Sequence, residues 1–161
     1  MEQISLIHLE NDDHGTFIRN FPALQEDELI YSGLCRYCHD AYDGVRLSVF
    51  RYLLGTSTRW LSPYFGINLG GIADRVGNPH LSAKSLIQKH TCASVFLPFL
   101  PESRQKELLA SVFDREKSTP FRFGAAADQH RSNRPLRFCL MCLVDDVNSH
   151  GYPFWHCSHN L

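Results

Sequence analysis

Apolar residues in this chain recur at helical spacing in short runs, and glycine or proline closes most runs within a few residues. That punctuation predicts a body of several short helices. Ile30, Leu34, Tyr37 and Cys38 form the first stripe, preceded by Glu26-Asp27-Glu28, three acids suited to the positive end of a helix. The spacing predicts a helix over 26–42, then a turn at Asp43-Gly44. A second helix is expected over 46–54, with Leu47, Phe50, Leu53 and Leu54 on one side and Gly55 as its stop. Residues 56–67 read as a loop packed down by Trp60, Tyr64 and Phe65. Two short helices follow over 68–90, the first carrying Leu69, Ile72, Ala73 and Val76. The second is capped by Ser82 and carries Leu86, Ile87 and His90, after a turn at Gly77-Asn78-Pro79-His80. Pro101-Glu102 opens a further helix with Leu108, Leu109, Val112 and Phe113 as its buried stripe. Residues 114–136 are charged and irregular.

At 161 residues the chain is one domain with at most a small appended module, and 43% hydrophobic residues supply a core. No apolar run approaches the roughly 18–20 residues of a membrane span. The opening MEQISLIHLENDD lacks the basic-then-apolar order of a secretory signal. Six cysteines fall well below the density of a secreted disulfide scaffold, so a cytoplasmic chain with reduced thiols is expected. No Walker loop, HExxH or GxSxG is present, and Leu69-Gly70-Gly71 is too short to cradle a phosphate. Asp145-Asp146 reads as a solvated helix start. The chain is therefore not expected to be an enzyme.

The net charge of −1 hides a split: −7 over residues 1–45 and +6 over 46–161. A basic part of that kind suits a nucleic-acid partner, although two differently charged faces of an ordinary protein give the same numbers. Residues 69–90 have helix-turn-helix spacing, with Gly77 four after Ala73; Asn78 and Pro79 depart from the pattern, and a plain helical hairpin is the other reading. In the first case Lys84 and Lys89 face a phosphate backbone, joined by Arg131, Arg134 and Arg137 of the basic stretch.

Four cysteines stand as two Cys-x-x-Cys pairs, Cys35/Cys38 and Cys139/Cys142. Such spacing lets two thiolates of one tight knuckle face a single point, which is half of a tetrahedral zinc site. Cys139 and Cys142 are the candidate ligands, with Cys157 and His159 as lower-ranked ligands to close the set; a pair of core cysteines is the alternative. Cys35 and Cys38 fall inside a predicted helix and are expected to face the core, with a thiol redox centre as the competing reading.

Taken in order, several segments resemble the TniQ family, which includes the TnsD-like target selectors of bacterial transposons. They are Phe21-Pro22, Asp27 to Ser32 with Arg36, Phe50, Leu53-Leu54-Gly55, Ile67-Asn68-Leu69 with Ile72-Ala73, His90-Thr91 and Pro98-Phe99. Arg137-Phe138-Cys139-x-x-Cys142, Asp145, and Gly151 to His156 with His159 complete the series. The resemblance covers residues 21–161 and matches the N-terminal part of the longer members. It implies a mainly α fold, a multi-helix body over 21–136 with a helix-turn-helix-like hairpin and a small zinc-ribbon-like tail over 137–161, while residues 1–20, acidic and without periodicity, read as a loosely held leader. It also implies an adaptor that helps choose a transposition target, through DNA, a AAA+ regulator and, in some systems, a CRISPR effector. In the family a Cys-Pro-x-His-Gly segment answers the knuckle, and the sequence ends at Leu161 before it. The zinc site is thus expected to be half present, in a truncated remnant or a piece of a longer chain. A two-stranded tail left in that state is expected to be marginal, with Phe154 and Trp155 docked on the body or exposed. A stand-alone DNA-binding module and a thiol redox protein at Cys35/Cys38 are the competing functions.

Overall fold

The computed structural model describes residues 18–42, 68–113 and 135–160. Among these the chain is mainly helical and has no strand. Helix α1 spans Ile30–Tyr42, α2 Leu69–Val76, α3 Ala83–Lys89, α4 Ala93–Phe96, α5 Glu102–Phe113 and α6 Leu140–His150. Short 3-10 turns follow α4 at Leu97–Phe99 and close the tail at Ser158–Asn160. The expected helix over 46–54 and loop over 56–67 lie outside the described residues.

The paired helices of 68–90 form as their punctuation dictates. Asn68 takes the left-handed conformation open to asparagine and accepts the Gly71 N–H at the head of α2. Gly77 ends that helix at φ 62, where a Cβ would be strained, and its N–H returns to the Ala73 carbonyl. Ser82 Oγ accepts the Ser85 N–H at 3.1 Å and starts α3. Leu69 and Ile72 of α2, Leu86 and Ile87 of α3, and Ile30 and Leu34 of α1 meet in one apolar core. Cys38 is buried there and Cys35 packs against it, as a core reading of that pair requires. Ile18 is buried in the same core, and its N–H donates to the Arg75 carbonyl.

Helix α1 begins four residues later than its acids suggest. Asp27 lies in the left-handed region at φ 64 and breaks the helical run. The Leu29 and Ile30 N–H groups donate to the carbonyls of Trp155 and His90, so tertiary partners take the donors that would otherwise start a helix. Glu28, expected in the first turn of the helix, precedes it instead and is fully buried. The tail departs from expectation too. Instead of a ribbon hairpin, Cys139 stands at the N-cap of α6, and the chain then returns across the body as an extended segment. Phe154 is buried and Trp155 packs beside Tyr31, so both aromatics dock. Exposed large apolar side chains gather on α6, at Leu140, Met141, Val144 and Val147, with Phe138 just before it, and Phe99 and Val95 are exposed as well.

Candidate functional site

The tail is strapped to the body by a short antiparallel pairing of Glu28 with His156. Leu29 N–H donates to the Trp155 carbonyl at 2.8 Å, and Cys157 N–H donates to the Asp27 carbonyl at 2.6 Å. Beneath this pairing Leu29, Cys92 and Cys157 form a second small core, with Tyr31, Leu136 and Trp155 packed against it. The strap is therefore fastened by both backbone hydrogen bonds and apolar burial.

Charged groups on either side of the strap fix its position. The buried Glu28 carboxylate accepts from Arg36 Nε at 3.1 Å, Arg36 Nη2 at 2.7 Å and the Gln25 N–H at 2.8 Å. Arg36 also lies 4.2 Å over the Tyr152 ring, and Gln25 Nε2 donates to Tyr152 Oη at 2.7 Å. One guanidinium thus neutralises a carboxylate of the body and holds the segment that leads into the strap. On the other side the His156 ring stands between two carboxylates, Asp27 at 3.3 Å from Nδ1 and Asp146 at 3.0 Å from Nε2. Asp146, read from sequence as solvated, is buried, because α6 turns it toward His156.

His90, at the end of α3, is buried beside the same seam, with Nδ1 2.8 Å from the Glu28 carbonyl. A carbonyl only accepts, so Nδ1 carries the proton in this contact. Burial lowers the His90 pKa below its ordinary 6.5, against the opposing pull of the Glu28 carbonyl. A base with a depressed folded pKa stabilises the fold fully above the unfolded value, and that contribution is eroded as pH falls through about 6.5. Chemical denaturation is accordingly expected to become easier between about pH 7.5 and about pH 5.5. His90→Asn keeps an amide donor for Glu28 and is expected to flatten that pH dependence.

The knuckle lies at the head of α6. Cys142 is one turn inside the helix, and its Sγ is 3.6 Å from His159 Nε2 on the closing 3-10 turn. Backbone amides of Cys142 and Met141 draw the Cys139 thiol below its ordinary value, and the hydrogen bond with Cys139 raises that of Cys142. Two thiols and an imidazole are the donor types zinc prefers, so the chemistry fits that ion. Among the described residues no three His, Cys, Asp or Glu side chains converge closely enough to hold a metal as they stand. Cys157 lies apart from this cluster: its Sγ donates to the Lys89 carbonyl, and burial pushes its thiol up to about 12. Burial likewise raises Cys35 to about 11 and Cys38 to about 12, opposite in direction to a reactive thiolate.

Of the basic candidates, Lys84, Lys89 and Arg137 are exposed, while Arg131 and Arg134 lie outside the described residues. The strap ends between two of them. Asn160 accepts the Arg137 N–H at 2.7 Å and returns its own amide to the Arg137 carbonyl, while Cys157 contacts the Lys89 carbonyl. Lys89 and Arg137 are thereby tied to the two margins of one segment. Sequence reasoning missed Asp27, Glu28, Arg36 and Asn160 as parts of this site. Arg36 at eight residues from Glu28 carried only a faint signal, since that spacing puts both on one helical face only when Glu28 is helical.

Fold and site define a class: a small helical module with a cysteine-knuckle tail strapped across its body. The chain belongs to the TniQ family, whose model, described as TniQ, matches residues 19–161. It is also similar to the transposon Tn7 transposition protein TnsD of Escherichia coli, 27% identical over 144 residues. That alignment covers 86% of this chain and 28% of TnsD, so the chain spans little more than a quarter of its relative. No described helix is long and apolar enough to cross a membrane.

Proposed function

We propose that this chain is an adaptor in DNA transposition that helps choose the target site, linking DNA or a DNA-bound targeting complex to a AAA+ regulator. The single observation that carries this reading is the family match over residues 19–161, which takes in the helical body and the strapped tail together. The fold supports it physically. A strap fastened through Glu28, Arg36 and His156 gives a rigid platform, and its margins offer Lys89 and Arg137 to phosphates. Lys84, exposed on α3, adds to that surface if α2 and α3 act as a helix-turn-helix. Zinc at Cys139 and Cys142 would lock the knuckle to the head of α6. In systems guided by a CRISPR effector, that effector would take the place of direct target contacts.

The test is association with a AAA+ transposition regulator on duplex DNA. The adaptor reading expects weak duplex binding by the chain alone and co-sedimentation of chain, regulator and DNA. A stand-alone DNA-binding module instead binds duplex tightly by itself, with affinity falling steeply with salt, by a logarithmic slope of about −0.9 for each phosphate neutralised. Tight unaided binding with no effect of the regulator would overturn the adaptor.

A further inference from the structure

We infer that the exposed apolar stripe of α6 is a self-association surface, through which two copies of this chain pair helix against helix. Such pairing goes beyond the adaptor reading and involves neither DNA nor a regulator.

The orientation of α6 is set from its inner side. Asp146 is buried, with its carboxylate 3.0 Å from His156 Nε2, and that contact turns one face of the helix toward the strap. On a helix of about 3.6 residues per turn, Val144 points roughly the opposite way from Asp146. Leu140 stands four residues before Val144 and Val147 three after it, the spacing that lines side chains along one helical face. Met141 widens the stripe, and Phe138 extends it just ahead of the helix. All five side chains reach solvent: Phe138 is 60% exposed, Leu140 71%, Met141 76%, Val144 55% and Val147 43%. The contact that holds the strap therefore presents the stripe, and α6 cannot turn it inward without giving up Asp146 and His156.

Area and composition select a second copy as the occupant. Those fractions leave roughly 600 Å2 exposed in one patch, at the top of the range for the largest apolar patch on a monomer. Two such patches face to face remove about 1,200 Å2 from water, the lower edge of specific protein interfaces. The stripe itself carries no charge: Asn148 is its polar member, and the exposed Asp145 and Arg137 stand at its margin. A copy of the same surface thus meets no like charge along the stripe, and polar groups fall at the rim as in protein interfaces generally. The pattern also complements itself. In an antiparallel pair with Val144 against Val144, Met141 of each copy meets Val147 of the other, and the unbranched methionine fills the space beside the shorter valine. A patch of this extent gives reversible pairing, with a dissociation constant of about micromolar order.

Sedimentation of the full chain over about 1–100 µM, under reducing conditions so that exposed thiols form no crosslinks, tests this. Wild type is expected to pass from monomer to dimer across that range and to stop there, as a closed two-fold contact requires. Val144→Glu sets like charges against each other at the centre and is expected to weaken pairing by about a hundredfold or more. Its denaturation midpoint is expected to stay close to that of wild type, since the side chain is exposed in the monomer. Met141→Lys is expected to repeat the loss independently, and Val144→Ile, which keeps the surface apolar, to pair as wild type does. Phe99→Ser removes the 84% exposed phenylalanine at the turn before α5 and is expected to leave pairing intact. A wild type that stays monomeric throughout overturns the proposal and assigns the stripe to a different protein. Growth beyond the dimer overturns the closed pair, and folded Val144→Glu and Met141→Lys chains that dimerise like wild type place the contact elsewhere. None of these results bears on association with a regulator on DNA, so the adaptor reading stands or falls separately.

Discussion

Replacing Arg36 with alanine is expected to lower the thermal unfolding midpoint by roughly 10 °C, the largest effect of any single change at the strap. The reason is the condition in which it leaves Glu28. That side chain is fully buried, and among the described residues Arg36 supplies two of its three hydrogen bonds and the opposite charge that pairs with it. Removing one partner of a buried ion pair costs about 3–5 kcal/mol, because the remaining charge stays desolvated and uncompensated. For a chain of this size each kcal/mol moves the midpoint by about 2–4 °C. Arg36 also holds the Tyr152 ring, so amides of residues 154–158 are expected to lose hydrogen-exchange protection before those of α2 and α3. Glu28→Gln, which removes the buried charge and keeps an acceptor for Arg36, is expected to cost less. An Arg36→Ala chain that melts within about 2 °C of wild type would show that Glu28 is relieved by other means.

Leu86→Ala is expected to destabilise the chain by about 2–5 kcal/mol, read as a shift in denaturant midpoint at unchanged slope. Leu86 is fully buried on α3 and belongs to the core shared by α1, α2 and α3. Truncation there removes apolar burial and leaves a cavity that three packed helices cannot readily fill. Leu109→Ala is the informative comparison. Leu109 on α5 packs against the same core while only partly buried, and it is expected to cost distinctly less. Equal costs for the two would mean that α5 is as central to the core as α3.

Much of the helical body was legible in the sequence. The stripe Leu69, Ile72, Ala73, Val76, the Ser82 cap and the Gly77 stop are local signals, since each depends on residues within one or two turns. They place α2 and α3 to within a residue. The start of α5 after Pro101 is legible for the same reason. The head of α1 was not. Three acids before an apolar stripe read as a helix start, yet donors at Leu29 and Ile30 are claimed by Trp155 and His90, residues far along the chain. Local propensity contributes a few tenths of a kcal/mol per residue, less than a buried ion pair with two hydrogen bonds.

The same division runs through the candidate site. Sequence by itself marked the Cys139/Cys142 knuckle, the aromatic-histidine element after it and the family they resemble, because these are spacing patterns carried within a few residues. Tertiary structure alone decided their surroundings. It sent Cys157 into the core against Lys89 and brought His159 to Cys142. It buried Asp146 against His156 and set Glu28 on Arg36 beneath the strap. Which cysteine stands beside His159 and which faces a carbonyl depends on where an extended segment crosses the body. That crossing is fixed by backbone pairing at Glu28 and His156, a contact between residues so far apart in sequence that no local pattern encodes it.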